Sequence, residues 1–173
     1  MIQCPIPIIG FSAFSGTGKT TLLRKLIPLL TAKDLRIGMV KHSHHDIEVD
    51  HPGKDSYVLR KSGTAQMVLA SPKRTSIIIE HPDQDDSKLA TALLGLQTNK
   101  LDIILVEGFK HEQLPKIELH RKELGKPLLY PEDANIIAIA TDYELDDKKS
   151  TLTQLRLEQP QTIADFIQEF ITR

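Results

Sequence analysis

The run Ala13-Phe14-Ser15-Gly16-Thr17-Gly18-Lys19-Thr20 constrains this chain more than any other stretch. It follows the pattern G-x-x-x-x-G-K-[ST] at every fixed position but the first, where alanine stands for glycine. Residues 5–12, with Ile6, Ile8, Ile9 and Phe11, read as a buried strand ending in a turn. Residues 19–30 carry Leu22, Leu23, Leu26, Ile27 and Leu30 at helical spacing, with Pro28 predicting a kink or an early end. Strand, glycine-rich loop and helix in that order make a phosphate cradle. Gly16 and Gly18 let several backbone N–H groups turn inward, and the helix adds its positive end. The Lys19 ammonium is placed to bridge β- and γ-phosphates, and the Thr20 hydroxyl to ligate Mg²⁺. The expected ligand is a purine nucleoside triphosphate with Mg²⁺. Ala13 would be strained if its position required positive φ; the surviving Gly-x-Gly-Lys-Thr predicts an intact loop.

The remaining pattern alternates strands and helices. Residues 36–42 read as a second strand, followed by a polar loop to about residue 54 and a short helix over 55–62. Residues 66–70 and 75–80 read as an antiparallel hairpin around the turn Ser71-Pro72-Lys73-Arg74. Residues 86–96 suit a helix, with Leu89, Leu93 and Leu96 on one side. The dense apolar run 101–106 reads as a central parallel strand, apolar on both faces. Residues 116–120 and 136–141 are further strands, separated by a Pro/Gly-punctuated loop over 123–133. Thr162 and Asp165 resemble a capping box, and Ile163, Phe166, Ile167, Phe170 and Ile171 then follow as an amphipathic helix. The fold expected is a single α/β domain over residues 1–173. It is a three-layer P-loop NTPase domain whose mainly parallel sheet carries an antiparallel hairpin excursion. Ligands in such sheets sit at the carboxyl ends of the strands.

Candidate companions of the loop fall at those ends. Glu107 closes the central strand before Gly108, where a carboxylate holding Mg²⁺ or its water is expected. Asp102, at the opposite end, reads as structural. Lys41-His42-Ser43-His44-His45-Asp46 follows the second strand: Lys41 or His42 suits phosphate, and Asp46 the Mg²⁺ shell or the attacking water. His42, His44, His45, Asp46, Asp50 and His51 also form a candidate zinc or nickel set, though no pair has the His-x-x-x-His spacing of a rigid helical site. In Gly53-Lys54-Asp55-Ser56, Lys54 suits an anion and Asp55 a helix cap, with the cap favoured. Asp142 ends the strand 136–141, where a carboxylate can accept from guanine N1–H and its exocyclic amine; the usual Asn-Lys-x-Asp is absent. Arg121 reads either as a phosphate or partner contact or as an ordinary solvated arginine.

Composition narrows the class further. Lys plus Arg (22) nearly balances Asp plus Glu (23), so the net charge of −1 gives no field to gather nucleic acid or anionic membrane. The one cysteine, Cys4, excludes an internal disulfide and suits a reducing compartment. The first residues lack the basic-then-apolar layout of a signal peptide, and no apolar run approaches a membrane span. A cytoplasmic, soluble protein is expected.

Five separated blocks together resemble the molybdopterin-guanine dinucleotide biosynthesis adaptor protein B (MobB) family. They are Ser15-Gly16-Thr17-Gly18-Lys19-Thr20-Thr21-Leu22, Lys41-His42-Ser43-His44-His45-Asp46, Pro52-Gly53-Lys54-Asp55-Ser56, Val106-Glu107-Gly108-Phe109-Lys110 and Ile137-Ala138-Ile139-Ala140-Thr141-Asp142. They keep the family's order across nearly the whole chain. The resemblance implies a GTP-binding homodimer with weak GTPase activity. Its partner would be the guanylyltransferase that joins GMP to molybdopterin, with other cofactor-assembly proteins and molybdopterin itself as further candidates. It also implies kinship with GTPases that assist nickel enzymes. The nucleotide-binding candidates are Ser15, Gly16, Thr17, Gly18, Lys19, Thr20, Thr21, Lys41 and Asp142. Thr20, Asp46 and Glu107 are the candidate Mg²⁺ ligands, with Asp46 and Glu107 also the catalytic candidates. Rival readings are a metallochaperone GTPase, a regulatory nucleotide switch and a small-molecule kinase. The kinase is disfavoured because Arg121 is the only arginine between residues 109 and 133.

Overall fold

A parallel strand in the middle of a sheet is covered on both faces, and three short runs here are buried in that way. β1 (Ile8–Ser12), β5 (Ile103–Glu107) and β6 (Lys116–His120) are buried along their whole length. The computed structural model describes residues 4–43, 47–81, 88–145 and 152–172. With β2 (Ile37–Lys41), β7 (Ile136–Thr141) and β8 (Thr153–Arg156), these strands form a six-stranded sheet in the order β2-β5-β1-β6-β7-β8. Every pairing in it is parallel. β3 (Gln66–Ser71) and β4 (Arg74–Ile79) pair antiparallel as a separate two-stranded sheet.

Alternate residues of the sheet define one face: Ile9 and Phe11, Ile103 and Leu105, Ile117 and Leu119, Ala138 and Ala140. Onto it pack α1 (Lys19–Thr31) through Leu22, Leu23, Leu26 and Leu30, and α4 (Pro160–Ile171) through Ile163, Ala164 and Ile167. The two helices also touch each other, and Lys33, just past α1, pairs with Asp165 of α4 at 2.8 Å. At the amino-terminal edge Asp102 takes the Arg36 guanidinium in two bonds, 2.9 Å from Nε and 2.8 Å from Nη2. That pairing holds the Asp102 carboxyl down to about 2 and bears out its structural reading.

The chain divides into two compact units. Residues 1–42 and 96–173 form the first, and residues 43–95 the second. The second unit holds the β3–β4 hairpin, α2 (Asp55–Lys61) and the short α3 (Leu89–Leu93). Buried Arg60 organises it, reaching Glu80 at 2.8 Å and also bonding Glu48.

Four local expectations change. α1 continues through Pro28 to Thr31. Proline removes the bond to residue 24, and both Arg24 and Pro28 lie on the exposed side, where water can replace it. α4 begins at Pro160, two residues before the expected cap, because proline is well suited to the first helical turn. Thr162 instead bonds Gln159 O at 2.9 Å, and Asp165 is held by Lys33. Asp55 is the first residue of α2 and not its cap, a position taken by Lys54 without a side-chain bond; the carboxylate there complements the helix dipole. α3 covers only Leu89–Leu93 of the helix expected over 86–96, of which residues 86 and 87 lie outside the described residues. The edge strand β8 was not expected at all, since its side chains are largely polar and exposed.

Leu26 is fully buried between α1 and the sheet. Leu26→Ala should destabilise the protein by about 2–5 kcal/mol, read as a lowered denaturation midpoint in urea.

Candidate functional site

Three strands deliver their ends to one edge. In the sheet register Phe11 of β1 lies beside Glu107 of β5, and Glu107 beside Lys41 of β2. The glycine-rich loop leaves β1 after buried Ser12 and enters α1 at Lys19. Gly16 (φ 83°) and Gly18 (φ 96°) supply the left-handed turns that curl it. Ala13 needs none: among the described residues the only non-glycine with positive φ is Asp34. Ala13 instead packs half-buried against the core. The strain that a first-position alanine could have caused is therefore absent.

The curl is held from within. The Thr17 side chain is buried and its hydroxyl donates to Phe14 O at 2.9 Å. The Lys19 ammonium folds back over the loop, donating to Ala13 O at 2.9 Å. Burial pushes the Lys19 pKa below the usual lysine value; Glu107 opposes that shift and Lys41 adds to it. The sheet register puts Lys41, Glu107 and the exit of β1 into the loop in one row. Lys41 Nζ lies 3.0 Å from the Glu107 carboxylate, which is itself buried.

Gly108 closes this corner. Its φ of 95° suits glycine, and a Cβ there would stand 2.8 Å from the His42 Cβ. The His42 amide donates to Glu107 O at 2.9 Å, and its ring meets Phe109 edge-on. His42 thus fills the turn after β5. His44, His45 and Asp46 lie outside the described residues. Among the described residues no group of three or more His, Cys, Asp or Glu side chains is placed to hold a metal ion. In the second unit Asp50 is hydrogen-bonded by Ser56 and by the His51 amide, which lower its pKa against burial.

On the other side of β1, Arg121 follows β6. Its Nε donates to Thr17 O at 3.1 Å and its Nη1 to the Asp142 carboxylate at 3.1 Å. The second oxygen of Asp142 accepts the Lys122 amide at 3.3 Å. Arg121 is therefore half-buried and engaged: it touches the loop.

Sequence reading missed the buried polar face of β6. Lys116 donates to Lys110 O and Glu112 O and pairs with Asp133 at 2.6 Å. Glu118 accepts the amides of Leu129 and Tyr130 at 2.8 and 2.9 Å, while burial pushes its pKa up. His120 Nε2 lies 2.7 Å from Lys126 O and Nδ1 2.9 Å from the Tyr143 hydroxyl. A carbonyl only accepts, so Nε2 carries the proton and, in the uncharged ring, Nδ1 accepts from Tyr143. The alternation Lys-Ile-Glu-Leu-His was the available signal.

A parallel sheet whose first strand runs through a curled glycine loop into a helix defines a P-loop nucleotide-binding fold. Residues 8–142 match the sequence model of the family described as molybdopterin guanine dinucleotide synthesis protein B (MobB). The chain is 46% identical over 169 residues to the molybdopterin-guanine dinucleotide biosynthesis adapter protein of Escherichia coli K12, covering 97% of this chain and 95% of that one. It is 43% identical over 169 residues to the adapter protein of Haemophilus influenzae, covering 96% and 90%. A crystal structure of molybdopterin-guanine biosynthesis protein B superposes with a TM-score of 0.75 at 24% identity, covering 96% and 99%. That of Bacillus subtilis MobB gives 0.73 at 23%, covering 95% and 97%. The chain belongs to the MobB family.

The lowered Lys19 pKa carries a sign. Only the ammonium attracts an anion, so affinity holds at lower pH and falls as pH rises through that pKa. Affinity for inorganic tripolyphosphate should start to fall below the ordinary lysine value of 10.5. Lys19→Arg, charged throughout, should bind with little change over the same range. Calorimetric titrations at stepped pH check this, and a flat wild-type profile up to 10.5 contradicts it.

Proposed function

We propose that this protein is a GTP-binding adapter in the biosynthesis of molybdopterin guanine dinucleotide, with weak GTPase activity of its own. The observation that carries the reading is the convergence of Lys19, Lys41 and Glu107 beside a curled glycine loop at the sheet's carboxyl edge. Family membership supports the pathway, through relatives described as adapter proteins.

In this reading the main chain from Ser15 to Thr21 takes the phosphates, with Gly16, Thr17 and Gly18 shaping the curl. Lys19 leaves the carbonyls of the loop for phosphate oxygen, and Lys41 adds a second positive charge. Thr20, exposed in the first turn of α1, and Glu107 offer a hydroxyl and a carboxylate oxygen, hard donors that suit Mg²⁺. Asp46 would complete that set. Mg²⁺ would offset negative charge on the transferred phosphate. The kinase alternative wants several arginines at the phosphate, whereas Arg121 is engaged by Thr17 and Asp142. The working compartment would be the cytoplasm, and the partner a guanylyltransferase, with molybdopterin a further ligand.

The protein would act as a homodimer built on the unit of residues 43–95. Val68 and Ile77 are cross-strand partners, and with Ile79 they line one side of the hairpin. Val68 is 62% exposed and Ile77 54%. A two-stranded hairpin has little stability alone, and an apolar face this open calls for a cover. A second copy supplies one, because this hairpin edge and face can pair with themselves.

Titration with GTP and Mg²⁺ should show saturable binding that Lys19→Ala abolishes, and unchanged affinity in that variant would refute the reading. Isolated protein should turn over slowly; steady-state hydrolysis at rates on the order of 1–100 per second would contradict an adapter role. Val68→Asp combined with Ile77→Asp should convert the dimer to monomer by sedimentation while leaving GTP affinity in place.

A further inference from the structure

Arg121 and Asp142 stand apart from the groups that take phosphate or metal, yet both are tied to the glycine loop. Arg121 is the first residue after β6, and Asp142 the first after β7. The guanidinium is planar and rigid, and its Nε–H and Nη1–H point in diverging directions. One meets the Thr17 carbonyl and the other the Asp142 carboxylate, each at 3.1 Å. Asp142 is in turn held by the Lys122 amide. Three adjacent strand ends are thereby linked side by side: the loop after β1, then β6, then β7. A guanine reader must turn both carboxylate oxygens to a base edge. Here each oxygen already accepts a donor from its own chain.

We propose that Arg121 is a positioning residue that sets the curl of the phosphate loop, and that Asp142 orients Arg121 instead of reading guanine. This rests on the nucleotide-binding reading of the loop. The Thr17 carbonyl belongs to the same short arc as the amides that grip phosphate. Fixing it from outside, while the Thr17 hydroxyl bonds Phe14 O from inside, settles the arc before any anion arrives. Preset donors bind an anion more tightly because little ordering is left to do. A brace of this kind strengthens binding of the phosphate tail and is indifferent to the base.

The test is calorimetric titration of the full chain with the Mg²⁺ complexes of GTP, ITP and XTP, beside thermal unfolding of the unliganded protein. Inosine lacks the exocyclic amine, and xanthine carries an oxygen in its place. Arg121→Ala and Asp142→Ala should each weaken all three nucleotides by a similar factor, about tenfold. The double variant should lose little more than either single one, with unfolding midpoints close to the wild type. Arg121→Lys should fail to restore affinity, since an ammonium lacks the fixed diverging donors. If a midpoint does fall, Arg121→Lys and Asp142→Asn, which perturb shape least, serve for the same comparison across bases.

Asp142→Asn that loses GTP and gains XTP would identify a base reader and overturn the proposal. So would Arg121→Ala binding as the wild type does while Lys19→Ala does not bind; the nucleotide reading would then stand without the brace. Wild-type protein that binds none of the three would remove the nucleotide reading itself.

Discussion

Parallel pairing of β2 with β5 and of β5 with β1 decides where Lys41, Glu107 and the phosphate loop can lie. Parallel neighbours end at the same edge of a sheet. The registers bring Lys41, Glu107 and the exit of β1 into one row. Had β2 paired antiparallel, Lys41 would sit at the far edge beside Asp102. The core that enforces this pairing is the continuous apolar face of β1, β5, β6 and β7 under α1 and α4. The helices thus set the site by holding the strands in order.

Burial then sets the charge state of that row. The Lys19 ammonium has given up part of its hydration and in exchange donates to two main-chain carbonyls. Carbonyl dipoles compensate a buried cation only partly, which is why its pKa falls. An anion with several oxygens would restore the balance. Glu107 lies under similar constraint, buried itself while its ion-pair partner Lys41 stays exposed. An ion pair with one partner open to water is weak evidence for stability, since solvent screens the attraction. Its position at a functional edge gives a better reason for it.

Much of this was legible in the sequence, for identifiable reasons. Apolar runs of five residues, followed by turn residues, marked β1, β5 and β7, because burial on both faces leaves a pattern that needs no partner to read. Glu107-Gly108 stood out because a carboxylate and a glycine after such a run have few structural uses. β8 was not legible: its one buried side chain, Leu155, gives no periodicity. Thr162 as a cap was a fair reading of local chemistry, overridden by Pro160, whose fixed φ starts the helix sooner. The role of Arg121 was illegible in principle, since its partners are 104 and 21 residues away. Sequence spacing carries no trace of a contact made between strand ends.

The polar face of β6 supplies the last constraint. A strand with Ile117 and Leu119 on its helix-facing side should carry apolar residues on the other side too, as β5 does. Instead Lys116, Glu118 and His120 are buried there. Each spends its polar atoms on the loops that flank β6 and β7: Lys116 on Lys110, Glu112 and Asp133, Glu118 on Leu129 and Tyr130, His120 on Lys126 and Tyr143. An apolar face would bury area without fixing where such loops lie, because the hydrophobic effect has no direction. Hydrogen bonds do have direction, and unsatisfied ones are costly in the interior. The ladder therefore holds these loops in place, among them the one that Arg121 opens after β6 and the turn of Asp142 and Tyr143 after β7. The groups that face the phosphate loop from this side are held by a buried polar network, where those on the β2 side are held by strand register.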